Sequence, residues 1–190
     1  MSDNGADQST NFTAALYDHN QNAFDFKGQK DIPLKFGKNL NFEGGHRLPF
    51  MWRWPGRLSP RLVEDEVVSY VDVYRTLADI IGAVPKCYEG PDSRSLLPVL
   101  TGAGKIEGNQ AILTHAVYDG KVALRRSRWK WIPEINALYD MENDISENHN
   151  KVEKEWGRTL AQRLDTELTA WLARLEKREL RTNYGSLNIC

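Results

Sequence analysis

Gly37-Lys38-Asn39-Leu40-Asn41-Phe42-Glu43-Gly44-Gly45-His46-Arg47-Leu48-Pro49-Phe50, running on into Trp52-Arg53-Trp54-Pro55-Gly56, is the stretch whose reading decides the fold. The paired glycines permit positive φ or close backbone approach, so they read as the shapers of a turn. Lys38 stands before them as a compact point charge with three donors, suited to an anionic oxygen. By residue type alone it reads as a solvated surface lysine, the fate of most lysines. His46 to Trp54 is apolar and aromatic between turn signals, which predicts a buried strand ended by Pro55-Gly56.

Downstream, Val67 to Ile81 places apolar residues at 67, 71, 74, 77 and 81. That spacing predicts an amphipathic helix, with Gly82 as its C-terminal cap. Pro85 to Gly104 is loop-rich. Ala111–Tyr118 and Lys121–Arg126 read as strands joined at Asp119-Gly120, a hairpin signal. Trp129–Ile132 and Ala137–Met141 read as a third and a fourth strand. From Val152 to Lys177 the pattern is helical, with Trp156, Leu160, Leu164, Leu168, Trp171, Leu172 and Leu175 on one face. Its opposite face is charged, as a helix lying on a sheet requires. Upstream, residues 6–34 are polar and irregular and read as a long surface loop.

Composition bounds the class. The 190 residues suit one domain, or one domain and a small second unit, and 41% hydrophobic with 27% charged residues reads as soluble and globular. A formal net charge of -1 carries no nucleic-acid footprint. No apolar run approaches the ~20 residues of a membrane span. Two cysteines, Cys87 and Cys190, make no disulfide framework. Asn11-Phe12-Thr13 matches a glycosylation sequon, a tripeptide common by chance.

Together, Ser2-Asp3-Asn4-Gly5 and the Gly37–Gly56 stretch resemble the second half of a sulfatase of the arylsulfatase type, in the alkaline-phosphatase-like superfamily. Further strings extend the resemblance in order and spacing. They are Val68–Leu77, Asp92–Pro98, Ala123–Arg126 with Trp129–Ile132, and Leu138–Asp144. The fold the resemblance implies is α/β. Residues 1–104 would form the C-terminal part of the sulfatase catalytic core. Residues 105–190 would form a small antiparallel sheet with one long packed helix.

The resemblance also implies a chemistry. A sulfate ester carries negative charge on the group attacked, so a sulfatase must neutralise it and support the leaving oxygen. Calcium takes oxygen ligands from carboxylates and amide carbonyls. An Asp-Asn-Gly triplet by itself is a plain turn, but the family's metal ligands fall on Asp3 and Asn4. The family's sulfate-contacting lysine falls on Lys38. The substrate would be a sulfated small molecule or glycan.

The family's nucleophile is a formylglycine made from the Cys or Ser of a Cys/Ser-x-Pro-x-Arg motif. The residues two before the eight prolines are Asp31, Arg47, Arg53, Leu58, Ala83, Glu89, Leu96 and Trp131. None is Cys or Ser, so the motif is absent from these 190 residues. The chain therefore reads as a C-terminal fragment, expected to be inactive alone. The alternatives are a phosphate or phosphonate ester hydrolase of the same superfamily, and a non-catalytic module binding a sulfated glycan or a partner. His46 reads as a polar residue paired at a strand start, with a ligand or base role open. His19 and Asp18 could join a substrate rim, and His115 could face substrate from the C-terminal sheet. Asp65 and Glu66 read as a solvated helix start.

Overall fold

The computed structural model describes residues 23–26, 29–38, 40–86, 89–106, 111–115 and 121–183. The elements in chain order are strands β1 (Ala23–Phe26) and β2 (Gln29–Pro33), and helices α1 (Glu43–His46), α2 (Asp72–Ile81) and α3 (Leu97–Leu100). Strands β3 (Ile112–His115), β4 (Val122–Arg126), β5 (Trp129–Ile132) and β6 (Ala137–Asp140) follow, and then helix α4 (Glu155–Asn183). Packing divides the chain into two compact units interleaved in sequence. The first is Met1–Phe50 with Ala111–Trp171, and the second is Met51–Gln110 with Leu172–Cys190. Among the described residues no helix is long and apolar enough to cross a membrane.

In the first unit, β3-β4-β5-β6 is an antiparallel meander. Its register pairs Thr114 with Ala123, Leu124 with Trp131, and Trp131 with Leu138. Short strands with tight connections give this order directly. Helix α4 lies on the sheet as its charged outer face implied. Ala161, Leu164 and Leu168 are buried, Trp131 Nε1 donates to Asp165 Oδ1 at 3.0 Å, and Trp129 meets Trp156 edge-on at 5.5 Å. A core of Ala123, Ile132, Ala137, Tyr139, Met141 and Ile145 takes in Leu34, with Phe42 packed against it. The segment leading to the glycine turn thus packs with the C-terminal sheet, across a large gap in sequence.

Part of the expected surface loop at 6–34 is regular. β1 and β2 form an antiparallel pair with Phe24 opposite Ile32, and an irregularity between Phe24 and Phe26. Phe24-Asp25-Phe26 alternates with the period of a strand, too briefly to outweigh its polar surroundings. Residues 6–22, with Asp18 and His19, lie outside the described residues, as do the Asp119-Gly120 turn and both cysteines.

The expected strand His46–Trp54 does not form. Arg47 N donates to Glu43 O at 2.7 Å and Gly45 N to Phe42 O at 2.9 Å, so the chain turns helically where the strand was to begin. Residues 47–54 have no regular structure, and Met51 is 76% exposed. Aromatic composition suits a strand, but a strand also needs a ladder partner, and Pro49 removes one donor.

In the second unit α2 begins at Asp72, five residues later than its apolar pattern. Asp65 and Glu66 accordingly sit on an exposed non-helical segment. The Asp72 carboxylate closes the helix start, accepting from Ser69 N at 3.0 Å. It also takes Arg94 N at 2.9 Å and Arg94 Nη2 at 3.0 Å. Thr76 Oγ1 donates to Asp72 O and accepts from Leu96 N at 2.8 Å. The strings Val68–Leu77 and Asp92–Pro98 are therefore two sides of one buried polar joint. Gly82, at φ 70°, caps α2 as its sequence implied.

Candidate functional site

Lys38 lies half-buried in a turn opened by Gly37, whose carbonyl accepts from Leu40 N at 3.3 Å. The turn is compact because its glycines are enclosed. A Cβ on Gly44 would land on the carbonyl oxygens of Lys35 and Phe36, and one on Gly45 would meet those of Leu40 and Gly37. Only glycine fits there. Gly44 N donates to Lys35 O at 3.0 Å, closing the loop around Lys38.

Glu43 is the residue that sequence reasoning passed over. It is buried, and its Oε1 lies 3.0 Å from Lys130 Nζ on β5, while its Oε2 takes Arg47 Nε at 2.8 Å. Its own amide donates to Glu147 Oε2 at 2.7 Å. Lys130 and Glu147 are both enclosed, and Lys130 Nζ stands 2.8 Å from Glu147 Oε1. That second contact is an ion pair between two enclosed side chains. One ammonium thus sits between two carboxylates inside the first unit.

Burial alone would push the Glu43 carboxyl up. The charges of Lys130, Arg47 and Arg125 outweigh it and hold the group at about 2. Burial likewise works against the Lys130 ammonium, but Glu43 and Glu147 raise its pKa. Glu147 is pushed up by burial and by the Glu43 charge, against the pull of Lys130. Two carboxylates sharing one ammonium cannot both be ionised at equal cost, and Glu43 has two arginines besides.

His46 sits on the same turn with Nε2 3.3 Å from Asn41 Oδ1. Its burial, then the nearby Lys130 charge, lowers its pKa to about 4, so the ring is neutral at ordinary pH. This is the paired polar residue the sequence implied, at a helical turn instead of a strand. Lys35 completes the frame. Its Nζ donates to Glu147 O at 3.0 Å and lies 5.2 Å from the Phe42 ring and 5.6 Å from the Tyr139 ring. Such distances fit cation–π attraction.

Of the other sequence-derived candidates, Asp3 and Asn4 lie outside the described residues. His115 ends β3, opposite Val122. Among the described residues no group of three or more His, Cys, Asp or Glu side chains is arranged to hold a metal ion.

Residues 34–174 match the family described as N-sulphoglucosamine sulphohydrolase, C-terminal. The match begins at the buried Leu34, takes in the whole lysine turn and ends in α4. The chain belongs to this sulfatase family. It is 24% identical over 168 residues to an ulvan-active sulfatase of Formosa agariphila, covering 67% of this chain and 33% of that protein. It is 35% identical over 146 residues to human arylsulfatase A, covering 62% and 28% respectively. The solved structure of Ps i-CgsB superposes with a TM-score of 0.66 at 27% identity, over 76% of this chain and 33% of that one. The chain thus spans about a third of the length of these relatives. The α/β class, the small antiparallel sheet and the long C-terminal helix agree with the fold the resemblance implied.

Proposed function

We propose that this chain supplies the C-terminal part of a metal-dependent sulfatase, and that the whole protein hydrolyses a sulfate monoester to an alcohol and sulfate. In this reading Lys38 donates to the sulfate oxygens and offsets their charge. Asp3 and Asn4 are two of the oxygen ligands of a calcium ion, which would neutralise the same group when bound. The formylglycine nucleophile comes from outside these 190 residues. The substrate is a sulfated small molecule or glycan.

The observation that carries the reading is how the Lys38 turn is built. A buried Glu–Lys–Glu cluster and two glycines enclosed by backbone carbonyls hold a segment whose half-buried lysine takes no part in that cluster. Fixing a cationic side chain in advance is what anion recognition in a reacting site requires.

A sulfate titration followed by NMR of the chain tests this. The Lys38 side chain and the amides of the turn should respond to inorganic sulfate, and Lys38→Ala should abolish the response. An equal response in Lys38→Ala overturns the role given to Lys38. The chain alone should not turn over an aryl sulfate, because it has no formylglycine motif. Turnover lost in Lys38→Ala would show that another group serves as nucleophile. Two ligands fall short of the ~6–8 that calcium takes, so calcium should bind this chain only at about millimolar concentration or above. Micromolar binding lost in Asp3→Ala would show a more complete site.

A further inference from the structure

We infer that Glu147 and Lys130, both from the C-terminal sheet region, are positioning residues for the sulfate-binding turn: they clamp it on either side of Lys38. The inference rests on the role proposed for Lys38 and assigns the C-terminal region a part in anion recognition beyond covering a core.

Glu147 holds both ends of the turn at once. Its backbone carbonyl accepts from Lys35 Nζ at 3.0 Å, and its carboxylate accepts from the Glu43 amide at 2.7 Å. Lys35 and Glu43 lie on opposite sides of Lys38 in sequence, and the Gly44 amide joins them by its bond to Lys35 O. A side-chain change at Glu147 removes the Glu43 contact and leaves the backbone carbonyl that Lys35 uses, so it reaches Lys38 from the Glu43 side without touching it.

The holder is itself over-determined. Glu147 has φ 55°, a left-handed conformation that non-glycine residues seldom adopt, and it is fully enclosed. Such strain persists only where the surroundings impose it. They do so here through Asp144, whose carbonyl accepts from Glu147 N at 3.0 Å. Asp144 Oδ1 and Oδ2 also accept from Asn148 N and His149 N, at 2.9 and 2.7 Å. A residue needed only to fill space would not require a charge, an enclosed carboxylate and a strained backbone together.

Lys130 sets the electrostatics of the clamp. It reaches both carboxylates from the middle of the meander, between Trp129 and Trp131. Replacing such a buried cluster as a whole by apolar residues costs little net stability, whereas removing the cation alone strands both carboxylates. The geometry of Lys130 fixes where Glu43, and so the start of α1, must stand.

The test uses the full 190-residue chain with two readouts, amide hydrogen exchange and sulfate titration. The variants are Glu147→Ala, Glu147→Gln (which keeps the volume), Lys130→Met and Lys130→Arg. In Glu147→Ala the amides of Leu40, Glu43, Gly44 and Gly45 should exchange at least tenfold faster, while Leu124 and Trp131 in the ladder keep their rates. The sulfate response at Lys38 should weaken several-fold. Lys130→Arg should retain most of the response that Lys130→Met loses. Equal acceleration in turn and ladder would mean that Glu147 only stabilises the fold, and unchanged turn exchange would mean that it clamps nothing; either overturns the inference. If Glu147→Ala does not fold, Glu147→Gln decides by the same comparison. A parent chain without a sulfate response at Lys38 overturns the proposed role of Lys38, and the exchange comparison still decides the clamp.

Discussion

The lysine turn and helix α2 each contain a buried ion pair, and they treat their apolar residues in opposite ways. Around the turn, Glu43, Lys130 and Glu147 stand beside a closed apolar core that includes Leu34, Tyr139 and Met141. In α2 the buried residues are Asp72, Thr76 and Ala78, while Leu77 is 47% and Ile81 77% exposed. The apolar stripe that marks α2 as a helix is therefore not the face that packs within its unit. A periodic stripe establishes the helix, but it does not say that the stripe is covered. The first region is held by apolar burial with a polar clamp added. The second is held by the Asp72–Arg94 joint itself.

The largest expected effect lies in the first region. Lys130→Met leaves two carboxylates buried without their shared cation and should destabilise this region by about 3–5 kcal/mol. Urea denaturation followed by tryptophan fluorescence measures it. A loss below ~1 kcal/mol would show that the apolar core alone holds the turn. Asp72→Ala strands the Arg94 guanidinium and the amides of Ser69 and Arg94, at about 2–3 kcal/mol by the cost of unsatisfied buried groups. Its effect should be local, with exchange protection lost over 72–100 and kept in β4–β6. Equal loss in both regions would break the distinction between them.

Acid sharpens the same contrast. The folded pKa of His46, about 4, lies below its ordinary 6.5, so the unfolded chain takes up this proton first. The contribution of His46 is complete above pH 6.5 and is lost as pH falls to 4, amounting to at most about 3 kcal/mol. Glu43, held at about 2, adds a separate loss as pH falls from 4.5 towards 2. Glu147, with its pKa raised, runs the other way, because the folded state takes up its proton first. The difference between the parent chain and His46→Gln isolates the histidine term, and thermal denaturation across pH 4–7 measures it. Equal pH slopes in the two chains would show that His46 ionises freely. The smallest effect belongs to the stripe. Leu77→Lys and Ile81→Lys should change stability by no more than ~0.5 kcal/mol, as exposed positions do. A larger loss by urea denaturation would mean that the stripe packs against something within the chain.

Much of this was legible in the residues. The four strands of the meander and the long helix fell near their expected positions because each carries its own period and turn signals. Gly82 announced its cap. The string Glu43-Gly44-Gly45-His46-Arg47 was legible as a feature, and its glycines do shape the turn. The strand expected from His46 failed for want of a ladder partner, which no local pattern can report. Glu43 went unread because a glutamate beside two glycines looks like a surface residue until Lys130 is brought to it.

By itself, then, the sequence determined the element types of the C-terminal sheet and helix, the family through its ordered strings, and the absence of a formylglycine motif from these 190 residues. Those properties reside in neighbouring residues or in their order. Only the tertiary structure decided that Glu43, Lys130 and Glu147 meet, that Leu34 packs with Tyr139, and that the stripe of α2 stays outside its unit's core. Glu43 and Lys130 are separated by 87 positions and Glu43 and Glu147 by 104. An ion pair between such residues has no local signature, because its partners are chosen by the packing of the sheet and not by the chain around either one.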